Sequence, residues 1–172
     1  MNLNDLLSEK RSDILQKWFD LIIESYPQET AIFLKSRKNQ FGNPVGHVIL
    51  EGIEEIYKEV SGEPNPEKVS VYLDNIIRIR AIQEFSPSKA LSFLFLLKKV
   101  IRAEVANAAR EYHMLEELSV IESRIDDLVN LSFDIYMQCR EKIYELKANE
   151  VRNWTYRLLK NTNMVKEFKA EG

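Results

Sequence analysis

Apolar residues recur along this chain at the spacing of an α-helix. In four segments they fall every three or four residues, which places them on one face of a helix. No segment alternates apolar and polar residues as a half-buried strand does. The pattern therefore predicts an all-α protein in which each helix buries one apolar stripe. The predicted core positions are Ile14, Trp18, Leu21 and Ile22; Val45, Val48, Ile49, Gly52, Ile56 and Val60; Val69, Tyr72, Leu73 and Ile76; and Leu94, Leu97, Ile101 and Val105.

Prolines mark where these helices begin. The steps Asn43-Pro44, Asn65-Pro66 and Ser86-Pro87 each place a capping side chain at the N-cap and a proline at the first helical position. Tyr26-Pro27 predicts that the first helix ends near Ser25, because the residue before a proline is disfavoured in the helical region. Three helix starts and one helix end are thus predicted from local sequence.

The last third of the chain predicts one long helix. From residue 115 to residue 171 there is neither glycine nor proline, and an apolar series runs through the first part of this stretch. After Cys139 the apolar residues change phase to a seven-residue step, with Trp154 near the seam. Two arrangements stay open: the helix folds back once over its own domain, or it pairs with a second subunit. The seven-residue step comprises Tyr144, Val151, Leu158 and Val165.

Composition and charge exclude several classes of protein. The chain has 172 residues, 45% hydrophobic and 30% charged, with five glycines and five prolines, as is typical of a helix-rich soluble domain. Its single cysteine cannot form an internal disulfide, and its charged start lacks the apolar core of a signal peptide, so we expect a cytoplasmic protein. The net charge is -3 and basic residues are interleaved with acidic ones, which argues against binding to nucleic acid. No apolar run approaches the ~20 residues that cross a membrane, so no membrane partner is expected.

Catalytic and metal motifs are missing from the sequence. It contains no phosphate-binding glycine loop, no nucleophile elbow and no His-Glu-x-x-His. His47 and Glu51 stand one helical turn apart, but with only two histidines in the chain we interpret this pair as a surface feature rather than a metal site. We therefore predict no catalytic residue, no metal and no cofactor, and a protein that is not an enzyme.

Arg80 stands out because it falls on the apolar stripe of its helix, with Gln83 on the same side and Arg78 opposite. A buried guanidinium needs partners. In one interpretation Arg80 is structural and bonds to helix-end carbonyls or a carboxylate. In the other it belongs to a ligand site, where Arg80 and Gln83 join the free amides around Gly46 and His47 in holding an anionic small molecule.

Three segments together resemble a known family. WFDLIIESYP, FGNPVGHVILEGIEEIYKEV and IIRIRAIQEFSPSKALSFLFLLKKVIR look like the N-terminal sensory domain of RsbRD-type co-antagonists of the bacterial stressosome. The resemblance covers about residues 6–110, and the stretch 78–90 is its most specific part. It implies a non-haem, globin-like domain or a related helical bundle. Such domains dimerise and stand before a phosphorylatable STAS domain that engages an RsbT-type kinase. This chain ends without a STAS segment, so only a sensor or input role is expected.

We therefore expect a single helical domain over 1–172, with a family-like core at 1–110 and a dimerisation or signalling helix within 111–172. Its expected role is to sense a small-molecule signal or a protein partner in stress signalling. The alternative is a structural or interaction protein that docks a partner through its last helix. No haem is expected, because residues 69–83, which would hold the proximal ligand of a globin-like fold, contain no histidine. A homodimer is expected through Tyr144, Val151, Trp154 and Leu158.

Overall fold

The computed structural model describes residues 2–36, 41–62 and 65–162. Within these ranges every regular element is a helix, and the last helix is by far the longest. The predicted all-α fold with a long C-terminal helix is thus confirmed. The helices are α1 (Leu3–Glu24), α2 (Gln28–Lys35), α3 (Pro44–Ser61), α4 (Pro66–Ile82), α5 (Pro87–Glu111) and α6 (Leu115–Asn161).

The helix starts follow the predicted prolines. Helices α3, α4 and α5 each begin at a proline, and α1 ends at Glu24, as the Tyr26-Pro27 step predicts. Side-chain oxygens of Asn43 and Asn65 accept the amide N–H three residues on, at 3.0 and 3.1 Å. At α5 Ser86 is the N-cap residue, as predicted, but its side chain caps no amide: its hydroxyl pairs with the Ser88 hydroxyl at 3.3 Å.

The chain divides into two compact units, Met1–Tyr136 and Met137–Gly172. In the first unit α1 packs on α5 and α3, and α3 packs on α4. Trp18 lies in the core, where its indole N–H donates to the Phe93 carbonyl at 2.6 Å. Gly52 allows α3 and α4 to approach closely, because a Cβ at this position would lie 2.6 Å from Ile76 Cδ1. The single-domain boundaries expected from sequence stay a prediction.

Helix α6 is unbroken between Leu115 and Asn161. In the first unit α6 buries the apolar series expected from its spacing. Those buried residues are Leu118, Ile121, Ile125, Leu128 and Ile135.

The second unit, described to residue 162, carries the predicted dimerisation residues as exposed side chains. Trp154 is 64% exposed. Arg140 donates to the Tyr144 hydroxyl at 2.7 Å and places its guanidinium carbon 4.9 Å from the centre of that ring. The exposed apolar residues at the predicted positions are Tyr144, Val151, Trp154 and Leu158.

Candidate functional site

Arg80 is buried to 1% exposure near the C-terminal end of α4. It lies on the same buried stripe as Leu73 and Ile76, where the helical spacing placed it. One terminal nitrogen, Nη1, donates to the Lys89 carbonyl at 2.9 Å, and the other, Nη2, donates to the Ser25 hydroxyl at 3.2 Å. Arg80 therefore joins the end of α1 to the first turn of α5.

Three aromatic rings surround this guanidinium. Its central carbon lies 5.5 Å from the ring centre of Tyr26, 5.1 Å from that of Phe85 and 5.5 Å from that of Phe93. Tyr26 and Phe85 also meet edge to face, with ring centres 5.3 Å apart. The negative faces of aromatic rings attract a cation, and this attraction strengthens when water is excluded. We call Arg80 and these three rings the Arg80 cluster.

The polar groups of the Arg80 cluster interact with each other. Arg80 Nε and the Tyr26 hydroxyl are buried and bond to no other described residue, and the interaction between the Tyr26 and Arg80 side chains favours the charged guanidinium. Within the same residues no carboxylate forms an ion pair with Arg80. Burial lowers the pKa of Arg80 because it disfavours the charged form. Burial raises the pKa of Tyr26, and the nearby charge of Arg80 opposes this shift.

The turn after α4 brings Phe85 over Arg80. Glu84 adopts the left-handed conformation, with φ 61°, and the Phe85 amide donates back to the Arg80 carbonyl at 3.1 Å. This is the backbone pattern that ends many helices, usually with glycine at the left-handed position. Tyr136 on α6 then donates to the Phe85 carbonyl at 2.6 Å. The turn is therefore held from both the Arg80 side and the α6 side.

The structure does not bring together the four residues predicted to form an anion site. The Gly46 amide donates to the Asn43 side chain at 3.0 Å, and the His47 amide donates to the Asn43 carbonyl at 3.1 Å, so neither is free for a ligand. Gln83 is exposed at the end of α4. The hydrogen bonds of Arg80 lead to α1 and α5, not to the start of α3. Of the four predicted residues, only Arg80 lies in the cluster.

His47 instead lines a groove of about 470 Å³ between α1, α2 and α3. Its imidazole lies 4.0 Å from the Glu51 carboxylate. On the wall of the groove Asp20 accepts from the Gln16 amide at 3.1 Å and pairs with Lys35 at 3.1 Å, and both contacts lower the pKa of Asp20. The groove is lined by Gln16, Phe19, Asp20, Leu34, Lys35, Ser36, Asn43, His47 and Leu50.

A second groove, of about 550 Å³, lies between the first turns of α5 and the middle of α6 within the first unit. It is mostly apolar, and Phe95 and Phe133 on its walls are each 47% exposed. Across the described residues, no three His, Cys, Asp or Glu side chains are grouped to hold a metal ion. None of the described helices combines the length and apolar character that a membrane span requires.

Comparison with protein families gives a match over most of the chain. Residues 12–151 match the family described as the RsbT co-antagonist protein rsbRD N-terminal domain. These residues are most of the chain, so the protein is a stress-signalling co-antagonist domain. It belongs to the RsbRD N-terminal domain family, which confirms the resemblance drawn from the three segments. The match reaches well into α6, beyond the expected end near residue 110. Neither curated proteins nor solved structures gave a match.

Proposed function

We propose that this chain is a non-enzymatic sensory domain that provides the input to bacterial stress signalling in the cytoplasm by binding a small-molecule signal. Membership of a signalling family supports the input role. The observation that supports ligand binding is the burial of the Arg80 charge. Arg80 is 1% exposed and has no carboxylate partner in the described residues. Such a charge costs stability, and proteins keep costly arrangements mostly where function needs them.

The chemistry of the Arg80 cluster suits binding rather than reaction. Its members are a guanidinium, a phenol and two phenyl rings, together with the hydroxyl of Ser25. A nucleophile needs an adjacent base, and general acid–base catalysis needs a group that titrates near neutral pH. Arginine remains protonated, and the buried Tyr26 phenol is even harder to ionise than usual because burial raises its pKa. The cluster can hold and orient a partner molecule but is not arranged to transform one.

Mass spectrometry of the small molecules released from purified protein on denaturation tests this proposal. The matched control is Arg80→Met, which keeps most of the side-chain volume and removes the charge, purified in the same way. We expect a compound that the wild-type protein releases and the variant does not. Identical profiles from folded samples of both proteins would contradict a ligand site at Arg80.

A second candidate function is protein docking through the end of α6. The observation that favours it is the exposed apolar series at 144, 151 and 158, with Trp154 beside it. Apolar residues at a seven-residue step are buried when two helices pair. We propose that this face pairs with a second copy of the chain, and that a signalling protein reads the resulting dimer. The length of α6 alone also fits the alternative of a purely structural protein. The profile of small molecules released on denaturation distinguishes a sensory domain from a structural protein.

A further inference from the structure

Helix α6 is joined to the rest of the first unit differently from the other helices. Within the described residues, extended close packing of helix backbones occurs between α1 and α5, α3 and α4, and α1 and α3, and α6 takes part in no such pairing. Its contacts are made by side chains. An apolar series faces the core, and polar side chains reach other helices at intervals along α6. The contacts that hold α6 can therefore be assigned to individual residues.

Two charged side chains of α6 bond to the ends of other helices. Glu117 accepts the amide N–H of Leu3, the first residue of α1, at 3.1 Å. Arg124 Nη1 donates to the carbonyls of Val60 and Gly62 at the end of α3, at 3.1 and 3.0 Å. The first amides and last carbonyls of a helix lack partners within it, and its dipole favours a negative charge at the start and a positive charge at the end. Each of these charges thus lies at the helix end of opposite sign.

Tyr136 makes a third contact of this kind. Its hydroxyl donates to the Phe85 carbonyl in the turn after α4, and the Phe85 ring lies against Arg80. Along α6, Glu117, Arg124 and Tyr136 are separated by seven and twelve residues. At a rise of 1.5 Å per residue these separations are about 10 and 18 Å. Helix α6 therefore bonds to α1, to α3 and to the turn after α4 at three separate heights.

The apolar series of α6 does not by itself fix the position of the helix along its axis. Its buried positions follow one another at alternating steps of three and four residues, so a shift along the axis brings another member of the series to each place. The series includes Ser132, whose buried hydroxyl has no hydrogen-bond partner in the described residues. The polar contacts therefore determine where α6 lies. The buried series comprises Leu118, Ile121, Ile125, Leu128, Ser132 and Ile135.

Two ion pairs join α6 to the side of α5. Lys98 donates to both carboxylate oxygens of Asp126 at 2.9 Å, and Arg102 donates to both oxygens of Glu122 at 2.7 Å. Both partners in each pair are side chains, and the Arg102 side chain is 64% exposed. The ion pairs can therefore follow α6 through a small displacement. At the helix ends one partner is a backbone group, which is fixed by its own helix.

We propose that residues 115–136 of α6 move as one body relative to the helices that they contact, and that Glu117, Arg124 and Tyr136 are the positioning residues that set the resting place. The inference rests on the proposed sensory function and adds the route by which a change in the helices is transmitted. A displacement of α1, of α3 or of the turn after α4 disturbs one of the three contacts and so shifts the balance that holds α6. Helix α6 is unbroken to Asn161, so the moving segment is continuous with the residues proposed to pair with a second copy.

Hydrogen exchange of the full chain, measured by mass spectrometry where exchange reports the opening equilibrium, tests the proposal without any ligand. The amides of residues 118–136 should exchange together, through an opening that is more frequent than global unfolding. Tyr136→Phe removes one hydrogen bond at one end of this segment. It should speed exchange about fivefold throughout the segment, including the amides near Leu118, and Arg124→Met, which removes two bonds, should speed it by more than about tenfold.

The matched control is Tyr57→Phe, which removes the hydroxyl that donates to the Leu7 carbonyl at 2.9 Å and so weakens a contact between α3 and α1. It should speed the slowest amides of α1 and α5, which exchange by global unfolding. It should leave residues 118–136 at the wild-type rate, because the contact between Tyr57 and Leu7 persists when only α6 opens.

Two results would overturn the proposal. In one, Tyr136→Phe speeds only the amides within about one turn of residue 136, which would make the contact merely local. In the other, Tyr57→Phe speeds residues 118–136 as much as the slowest amides, which would mean that α6 opens only when the whole unit unfolds. Either result leaves the sensory function standing, because no ligand takes part in the experiment. Identical profiles of released molecules from the wild-type protein and Arg80→Met would contradict the sensory site and leave the movement of α6 intact.

Discussion

Replacing Arg80 with alanine should lower the free energy of unfolding by ~3 kcal/mol, whereas Arg78→Ala should change it by under ~0.5 kcal/mol. The two arginines belong to the same helix and differ in their surroundings. Arg80 is 1% exposed. Arg78 is exposed and pairs with Asp74 one turn away. The contrast between the two substitutions isolates the effect of burial.

The magnitude for Arg80→Ala follows from its contacts. The substitution removes two hydrogen bonds, to Lys89 and Ser25, at about 1 kcal/mol each. It removes the attraction to three rings, worth about 1 kcal/mol, and leaves a cavity that costs roughly 2 kcal/mol. The substitution also removes a buried charge that has no carboxylate partner in the described residues, and this change favours the folded state. Its removal returns about 2 kcal/mol, because the rings already compensate part of the charge.

Urea denaturation followed by circular dichroism measures these differences for the wild-type protein and both variants. Arg80→Met is a useful third variant, because methionine fills the cavity and should cost about 1–2 kcal/mol less than alanine. Equal effects of Arg78→Ala and Arg80→Ala would refute the reasoning. So would an alanine variant at position 80 that is as stable as the methionine variant.

Three further predictions concern assembly, haem and alkaline pH. Light scattering should report about twice the chain mass of 20.2 kDa, and truncation after Leu146 should shift the protein towards monomer; a full-length monomer at micromolar concentration would contradict pairing through α6. Added haemin should give no sharp Soret band, because residues 69–83 offer iron no histidine, and a stoichiometric band would show this to be wrong. Burial raises the pKa of Tyr57 to about 12, so the stability that its neutral hydroxyl provides is present below pH 10 and is lost as the pH rises from 10 to 12. Tyr57→Phe should make this alkaline loss shallower in urea denaturation, and an unchanged loss would rule out Tyr57 as its cause.

Features that depend on neighbouring residues could be predicted from sequence. The starts of α3, α4 and α5 follow from prolines, whose effect on the backbone is local. The burial of Arg80 follows from helical periodicity alone. The engagement of the Gly46 amide also follows from local sequence, since a cap at Asn43 requires a first-turn amide of α3 and the Gly46 amide supplies it.

Features that depend on distant contacts, or on a backbone conformation that no glycine signals, could not be predicted. Phe85 reaches Arg80 because Glu84 takes a left-handed conformation, and the sequence gives no glycine at this position to signal it. Ser25 and Tyr26 come to Arg80 from more than fifty residues away. The groove containing His47 combines three helices, and helical periodicity describes each helix only by itself.

The free energy of unfolding with and without the released molecule tests the central claim most directly. Purified protein is stripped of bound molecules, and urea denaturation is repeated after the compound identified by mass spectrometry is added back. The account predicts that the wild-type protein gains stability with ligand concentration and that folded Arg80→Met gains none, because binding stabilises only through the folded site. An equal gain in both proteins would contradict a sensory site at Arg80.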